Sequence, residues 1–208
     1  MYFDDKAKDW DNDPAKLERA QILANELIQF FKKEKTLNAF EFGCGTGLVS
    51  YYLRDFFKTI TLADNSEGMI NVLKEKIKKE NLSNMNPLLT DLLVDNPNIE
   101  KQDVIYNLMT LHHILDLDKM IGIFNSMTTL GGYLCIADLV KEDGSFHAHH
   151  QNFDGHNGFD KNELTLLLAK NGYEIELYKI FFEIEKKSEN ETKKYPIFLI
   201  IGKKINEI

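Results

Sequence analysis

The sequence predicts an α/β protein: a seven-stranded, mostly parallel sheet with helices on both faces and a C-terminal antiparallel hairpin. Three observations lead there. Short apolar runs alternate with amphipathic stretches of three-and-four spacing nearly to the end of the chain, the pattern of βαβ units. A glycine-rich segment, Gly43-Cys44-Gly45-Thr46-Gly47, joins the first apolar run to the helix that follows it. Two final apolar runs flank a charged turn at Lys186 to Lys194, a spacing that suits a long hairpin.

The elements follow in order. Asp13-Pro14 opens the first helix, with an N-cap residue before the proline that suits the first helical position. Leu17, Ala20, Ala24, Leu27, Ile28 and Phe31 form its apolar stripe. Ala39-Phe40-Glu41-Phe42 reads as a buried strand, and Leu48, Tyr51, Tyr52 and Phe56 mark the helix after the glycines. A second strand, Thr59 to Ala63, ends at Asp64; Ser66 caps a helix whose inner face is Met69, Val72, Leu73 and Ile77. The third strand, Asn86 to Thr90, carries Pro87 and so belongs at a sheet edge. Val104 to Met109 is the fourth, and Tyr133 to Ala137 the fifth, after a turn at Gly131-Gly132. Met120, Ile121, Phe124 and Met127 mark the helix between them.

Residues 139–159 break the rhythm with a polar loop rich in His and Gly, of a length that usually signals function. Asp160 and Glu163 form an acidic capping box, and Phe159 and Leu164 are placed for a hydrophobic staple, so a helix restarts there. Tyr173 to Glu183 and Pro196 to Lys203 are the last strands. The expected organisation is a single domain over 1–208: an arm and helix (1–36), a ligand-binding core (37–138), a substrate loop (139–159), and a helix with the hairpin (160–208).

Of the 208 residues, 43% are hydrophobic and 28% charged, the balance of a soluble globular protein. No apolar run approaches the roughly 20 residues of a spanning helix, and Met1-Tyr2-Phe3-Asp4-Asp5 lacks the pattern of a signal peptide. Cys44 and Cys135 form no metal-spaced pair and suit a reducing compartment, so a cytoplasmic protein is expected. The sequon Asn190-Glu191-Thr192 then has no meaning beyond chance. A net charge of −8 argues against a polyanionic partner. The basic stretch Lys74 to Lys79 is interleaved with Glu75 and Glu80 at helical spacing and reads as a solvated face. The expected partner is a small molecule, with no nucleic acid and no membrane, and the protein a monomer or homodimer.

The glycine segment carries the chemistry. Glycines let a chain turn tightly from strand to helix and let a ligand approach the backbone, and the helix start offers free N–H groups. Dinucleotide enzymes use G-x-G-x-x-G; here the spacing is Gly43-x-Gly45-x-Gly47, with Glu41 inside the strand. Asp64 ends the second strand, and a carboxylate there matches a pair of ribose hydroxyls.

Together these residues resemble motif I and the following acid of the class I S-adenosylmethionine-dependent methyltransferases, with a Rossmann-like fold. The resemblance runs from about residue 36 to 138. Thr90-Asp91-Leu92 resembles the segment in which the family's acid meets the adenine amino group. Asn107-Leu108-Met109-Thr110-Leu111-His112-His113-Ile114 resembles the strand-four motif lining the methionine end, and Leu130-Gly131-Gly132-Tyr133-Leu134 the turn before strand five. The segment from Asp138 through His147 to Phe159 resembles a subgroup with a generic type 11/12 methyltransferase domain. The resemblance implies S-adenosyl-L-methionine as methyl donor, held by Glu41, Gly43, Cys44, Gly45, Gly47, Asp64, Asn65, Met69, Asp91, Leu92, Asn107 and Leu108.

Methyl transfer mainly needs alignment of a nucleophile behind the methyl carbon, with a base only where that nucleophile sheds a proton. His113, beside His112 after strand four, and His147 in the loop are the candidate catalytic residues. His147, His149 and His150 with Asp138 also suit a divalent ion. Loop histidines without firm ligand spacing more often face solvent or substrate, so no metal ligand is assigned. Tyr2, Phe3 and Trp10 lie in an acidic arm that either folds over the cofactor or anchors to the domain surface. The expected activity is methyl transfer to a small-molecule acceptor by in-line displacement. The alternatives are a non-catalytic S-adenosylmethionine-binding sensor or partner subunit, and a nucleotide-dependent oxidoreductase, which the glycine spacing disfavours.

Overall fold

A computed structural model describes residues 2–32, 35–148, 153–187 and 192–208. The chain divides into two compact units, Met1–Leu108 and Met109–Ile208.

The first unit opens with a short helix α1 (Tyr2–Lys6) and a 3-10 segment (Ala7–Asn12), where the sequence suggests only an arm. Helix α2 (Pro14–Phe31) then starts as expected: the Asp13 side chain accepts from the Ala15 N–H, and proline occupies the first turn. Ala20, Leu23, Ala24 and Leu27 are its buried face. Strand β1 (Asn38–Phe42) leads through the glycine loop into α3 (Leu48–Leu53). Strand β2 (Thr59–Asp64) is followed by α4 (Glu67–Glu80), capped by Ser66 through its bond from the Met69 N–H. Strands β3 (Met85–Leu89) and β4 (Gln102–Leu108) complete the unit.

These four strands run parallel in the order β3-β2-β1-β4. Pro87 sits on the outer strand of that set, paired with Leu62, where its missing N–H costs no ladder bond. β1 and β2 have neighbours on both sides, and Ala39, Phe40, Ile60 and Leu62 in them are fully buried.

The second unit holds a 3-10 turn (Leu111–His113), helix α5 (Leu117–Met127), strand β5 (Thr128–Leu139), a second 3-10 turn (Ser145–His147), helix α6 (Lys161–Lys170), and strands β6 (Tyr173–Lys187) and β7 (Thr192–Lys204). Its strands are antiparallel in the order β5-β7-β6. The hairpin is present and longer than its apolar runs suggest. Lys186 still pairs with Lys193, because ladder bonds need no apolar side chain. Strand β5 also starts earlier than predicted: Gly131-Gly132 lies inside it, with Gly131 at φ +81°.

The seven expected strands are therefore present among the described residues, four in the first unit and three in the second. At the start of α6, Asp160 accepts from the N–H groups of Asn162 and Glu163, as predicted, while the Glu163 carboxylate reaches Lys141 at 3.3 Å. A buried lysine closes the end of β7. Lys204 Nζ donates to the carbonyls of Asn125 (2.7 Å) and Thr128 (2.9 Å) and pairs with Glu207.

Candidate functional site

In the first unit, the polar groups gather at the carboxyl ends of β1, β2 and β3, where parallel α/β sheets take their ligands. The loop after β1 continues the ladder for one residue, with Cys44 N–H donating to the Ala63 carbonyl at 3.0 Å. It then folds back through three positive φ angles, at Gly43 (+63°), Gly45 (+53°) and Gly47 (+76°). The two later glycines are constrained differently. A Cβ on Gly47 would stand 2.7 Å from Leu73 and 3.1 Å from Leu62, so that glycine allows loop and α4 to pack closely. A Cβ on Gly45 would find only ordinary contacts, 3.8 Å from Trp10 Nε1 and 3.9 Å from Met69 Sδ. Its requirement is the backbone conformation.

Asp64 fixes this loop. One carboxylate oxygen accepts from the Gly45 N–H at 2.7 Å and the other from the Ser66 N–H at 2.8 Å. Burial raises its pKa against those bonds, and the carboxylate of Asp4 pushes in the same direction. Glu41 lies deeper. Its carboxyl accepts from Ser50 Oγ, which is itself 2.6 Å from the Tyr106 hydroxyl. Burial drives the Glu41 pKa up to about 8, with the Asp64 charge adding to the rise, so the group is neutral at physiological pH. The Cys44 thiol is pushed well above its ordinary range by the same burial and by both acids, which leaves it no nucleophilic role.

The N-terminal arm is fastened beside the loop. Asp4 accepts from Ser66 Oγ (2.6 Å) and from the Gly68 N–H (2.8 Å). Asp11 bonds Thr46 Oγ1 at 2.5 Å and pairs with Lys76 at 2.6 Å, and Lys76 also reaches the Thr46 carbonyl. Phe3 packs edge-on against Trp10, whose ring lies under Lys16 Nζ. A cavity of about 660 Å³ opens here, lined by Asp4, Asn65, Glu67, Gly68, Asn71, Leu89, Thr90, Asp91 and Asp95. Asp91 begins a turn on its floor: its carboxylate accepts from the Leu93 N–H, while Asp95 accepts from the Asp91 N–H and the Thr90 hydroxyl.

In the second unit, three imidazoles converge. His112 and His113 occupy the 3-10 turn after β4, and their rings are 4.1 Å apart. His147 ends the loop's own 3-10 turn, 5.0 Å from His112 and 5.9 Å from His113. His112 and His147 are buried, whereas His113 is exposed. Asp138, fully buried on β5, holds His112 twice: Oδ1 lies 2.7 Å from Nδ1, and Oδ2 accepts the His112 backbone N–H.

The loop around His147 is tied down at its base. Lys141 N–H donates to the Phe159 carbonyl and Glu142 N–H to that of Asn157. Gly158, at φ +73°, lies so close that a Cβ would meet the Val140 carbonyl at 2.4 Å. Phe146 packs on the cluster of Leu139, Tyr195 and Ile197. His149 and His150 lie outside the described residues.

A family model described as a methyltransferase domain matches residues 16–178. The chain belongs to the S-adenosylmethionine-dependent methyltransferases. An uncharacterized methyltransferase of Schizosaccharomyces pombe is 30% identical over 129 residues, 59% of this chain and 45% of the relative. A ubiquinone biosynthesis O-methyltransferase of Coxiella burnetii is 27% identical over 135 residues, 64% of this chain and 57% of the relative. The chain thus spans about half the length of the curated relatives it matches. The N-methyltransferase NodS of Bradyrhizobium japonicum, solved in complex with S-adenosyl-L-homocysteine, has the same fold, with a TM-score of 0.67 at 18% identity over 94% of this chain and 90% of that one.

The donor of this methyltransferase family is S-adenosylmethionine, and the first unit has the features to receive it. The cavity is of the size of small-ligand sites, about 300–1,000 Å³, and Asn65 and Asp91 are among the residues that line it. Asn107 adds a buried side-chain amide whose nitrogen and oxygen both have no hydrogen-bond partner among the described residues. Such an amide costs stability until something pairs with it.

Of the other expected donor contacts, Gly43, Cys44, Gly45, Gly47, Asp64 and Met69 meet around the loop. Leu92 is buried, Leu108 is half-buried, and the Glu41 carboxyl is engaged with Ser50. Sequence reasoning missed Asp4 and Asp95. Thr90 to Asp95 carries a turn signal that would have found the second. Nothing local marks Asp4, which acts 62 residues away.

Proposed function

We propose that the protein transfers the methyl group of S-adenosylmethionine to a small-molecule acceptor. The observation that carries this reading is the set of polar groups at the ends of consecutive parallel strands: the glycine loop after β1, Asp64 ending β2, Asp91 after β3 and the unsatisfied Asn107 on β4. Asp64 takes the ribose hydroxyls with the lone pairs left beside its two backbone bonds. Asp91 and Asn65 take the adenine side, and Asn107 the methionine end. Bound in this way, the donor presents a methyl carbon already activated by its sulfonium, so the protein's task is orientation. Glu41, uncharged near neutrality, braces β1 against α3 through Ser50. His113 and His147 are the residues acting on the acceptor.

A small acceptor is supported by the net charge of −8, which repels polyanions, and by the relative named for ubiquinone biosynthesis. No helix among the described residues is long and apolar enough to cross a membrane. Both cysteines are free and buried, which fits a cytoplasmic setting. The 208 residues act as one methyltransferase domain, as monomer or homodimer.

The test uses a donor with a deuterated methyl group, offered with the low-molecular-weight, RNA and protein fractions of a cell extract. Label is expected in the first fraction, with stoichiometric S-adenosylhomocysteine. Label confined to RNA or protein would refute the small-molecule reading. Donor binding without transfer to any fraction would favour a sensor.

A further inference from the structure

The second unit brings three imidazoles together in a cluster that can hold a ligand of its own. We propose that His112, His113 and His147 bind a divalent transition-metal cation of the zinc class. One ring nitrogen from each of the three lies within 4.8 Å of the other two. In a tetrahedral site with metal–nitrogen bonds of about 2.0–2.1 Å, ligand nitrogens stand roughly 3.3–3.4 Å apart. Ligation at that spacing requires rotation of the exposed His113 ring and a small closing movement of the other two.

The surroundings are those of a ligand set already oriented. Asp138 lies 2.7 Å from His112 Nδ1. A carboxylate on that nitrogen fixes the tautomer that leaves Nε2 free to ligate, the arrangement found behind metal-bound histidines. Phe153 stacks on His147 at 3.7 Å with the rings 9° from parallel, which sets the plane of the second buried imidazole. The strand of chain after Phe153 is pressed onto the same place. His156 N–H donates to the His112 carbonyl at 2.7 Å, and a Cβ on Gly155 would fall 2.3 Å from that oxygen.

Three imidazole nitrogens suit zinc, copper or nickel better than magnesium or calcium. They also leave one position open for an oxygen ligand. The sequence hides this set, because its members come from two turns 34 residues apart rather than from a spaced motif. A cation there occupies the nitrogens that a general base needs, so His113 and His147 then act through it. The proposal rests on this cluster and not on the methyl-transfer reading.

The experiment is a titration of untagged, chelator-treated protein with Co²⁺, followed by visible absorption, and with Zn²⁺, followed by competition against a chromophoric chelator. One ion per chain is expected, with the absorption of a four-coordinate cobalt site. His113→Ala, whose side chain is exposed, and His147→Gln should each weaken binding at least 100-fold. Asp138→Asn should weaken it about 10–100-fold. A double variant, His149→Ala with His150→Ala, should bind as the parent does. Thermal melting of each variant without metal identifies any that fail to fold, and His113→Ala keeps the test open if the buried changes do. Failure of the parent to bind Co²⁺ or Zn²⁺ at micromolar concentrations would overturn the proposal. So would binding that survives His113→Ala and His147→Gln, or that disappears in the His149, His150 double variant.

Discussion

Glu41→Gln tests the electrostatics at the centre of the first unit. Glu41 is 2% exposed, and its pKa is pushed up to about 8 from an ordinary 4.5. Between those two values the unfolded chain has released this proton while the folded chain retains it. Stability therefore falls as pH rises through that window. At ~1.36 kcal/mol per pH unit, the loss is about 3 kcal/mol by pH 7 and levels off at about 4–5 kcal/mol above pH 8. Glutamine keeps the shape and an acceptor for Ser50 but has no proton to lose. Relative to the parent, the variant should gain stability with pH by those amounts. In urea, where slopes are about 1–3 kcal/mol per molar, the gain at pH 7 is a midpoint shift of about 1–3 M. Denaturation at pH 5, 6, 7, 8 and 9 measures this directly, and contributions from groups remote from Glu41 cancel in the difference. Parallel stability profiles over pH 5–8 would refute the assignment of a neutral, buried Glu41.

Three further outcomes follow from the geometry. Gly47→Ala forces a Cβ to within 2.7 Å of Leu73 at φ +76°, and should destabilise the protein by about 1–3 kcal/mol in chemical denaturation. Gly45→Ala, at φ +53° but with ordinary contacts, should cost about 1 kcal/mol or slightly more by the same assay. Lys204→Met leaves the carbonyls of Asn125 and Thr128 without their ammonium donor in a buried place, and should cost about 2–3 kcal/mol, read as a lower denaturation midpoint.

Much of the fold was legible because its signals are local. The cap at Asp13, the proline at position 14, the Ser66 cap and the Asp160 cap each act within one helical turn, and each is present. The parallel strands were legible as short runs with apolar residues at their buried positions, Phe40 and Leu62 among them. The ends of the hairpin were not, since Lys186 and Lys193 pair through backbone groups to which hydropathy is blind.

At the site, Gly43 to Gly47 and Asp64 were legible as a compact motif followed by a strand-ending acid. Pairings at long range were not. Asp4 on Ser66, Asp11 on Lys76 and Asp138 on His112 each join residues from 26 to 65 positions apart, and no periodicity encodes them. At Gly45 the protein itself leaves room for a Cβ, and the positive φ of +53° is what its own fold constrains.

The account's central claim is that the first unit binds S-adenosylmethionine through the glycine loop and Asp64. Calorimetric titration with S-adenosylhomocysteine and with NAD, on the parent and on Asp64→Ala, tests it most directly. The parent should bind S-adenosylhomocysteine at one site per chain and show no heat with NAD. Asp64→Ala should lose about 1.5–3 kcal/mol of that affinity, roughly 10- to 150-fold in Kd, the range for hydrogen bonds to a charged group. An unchanged Kd in Asp64→Ala, or NAD binding more tightly than S-adenosylhomocysteine to the parent, would contradict it.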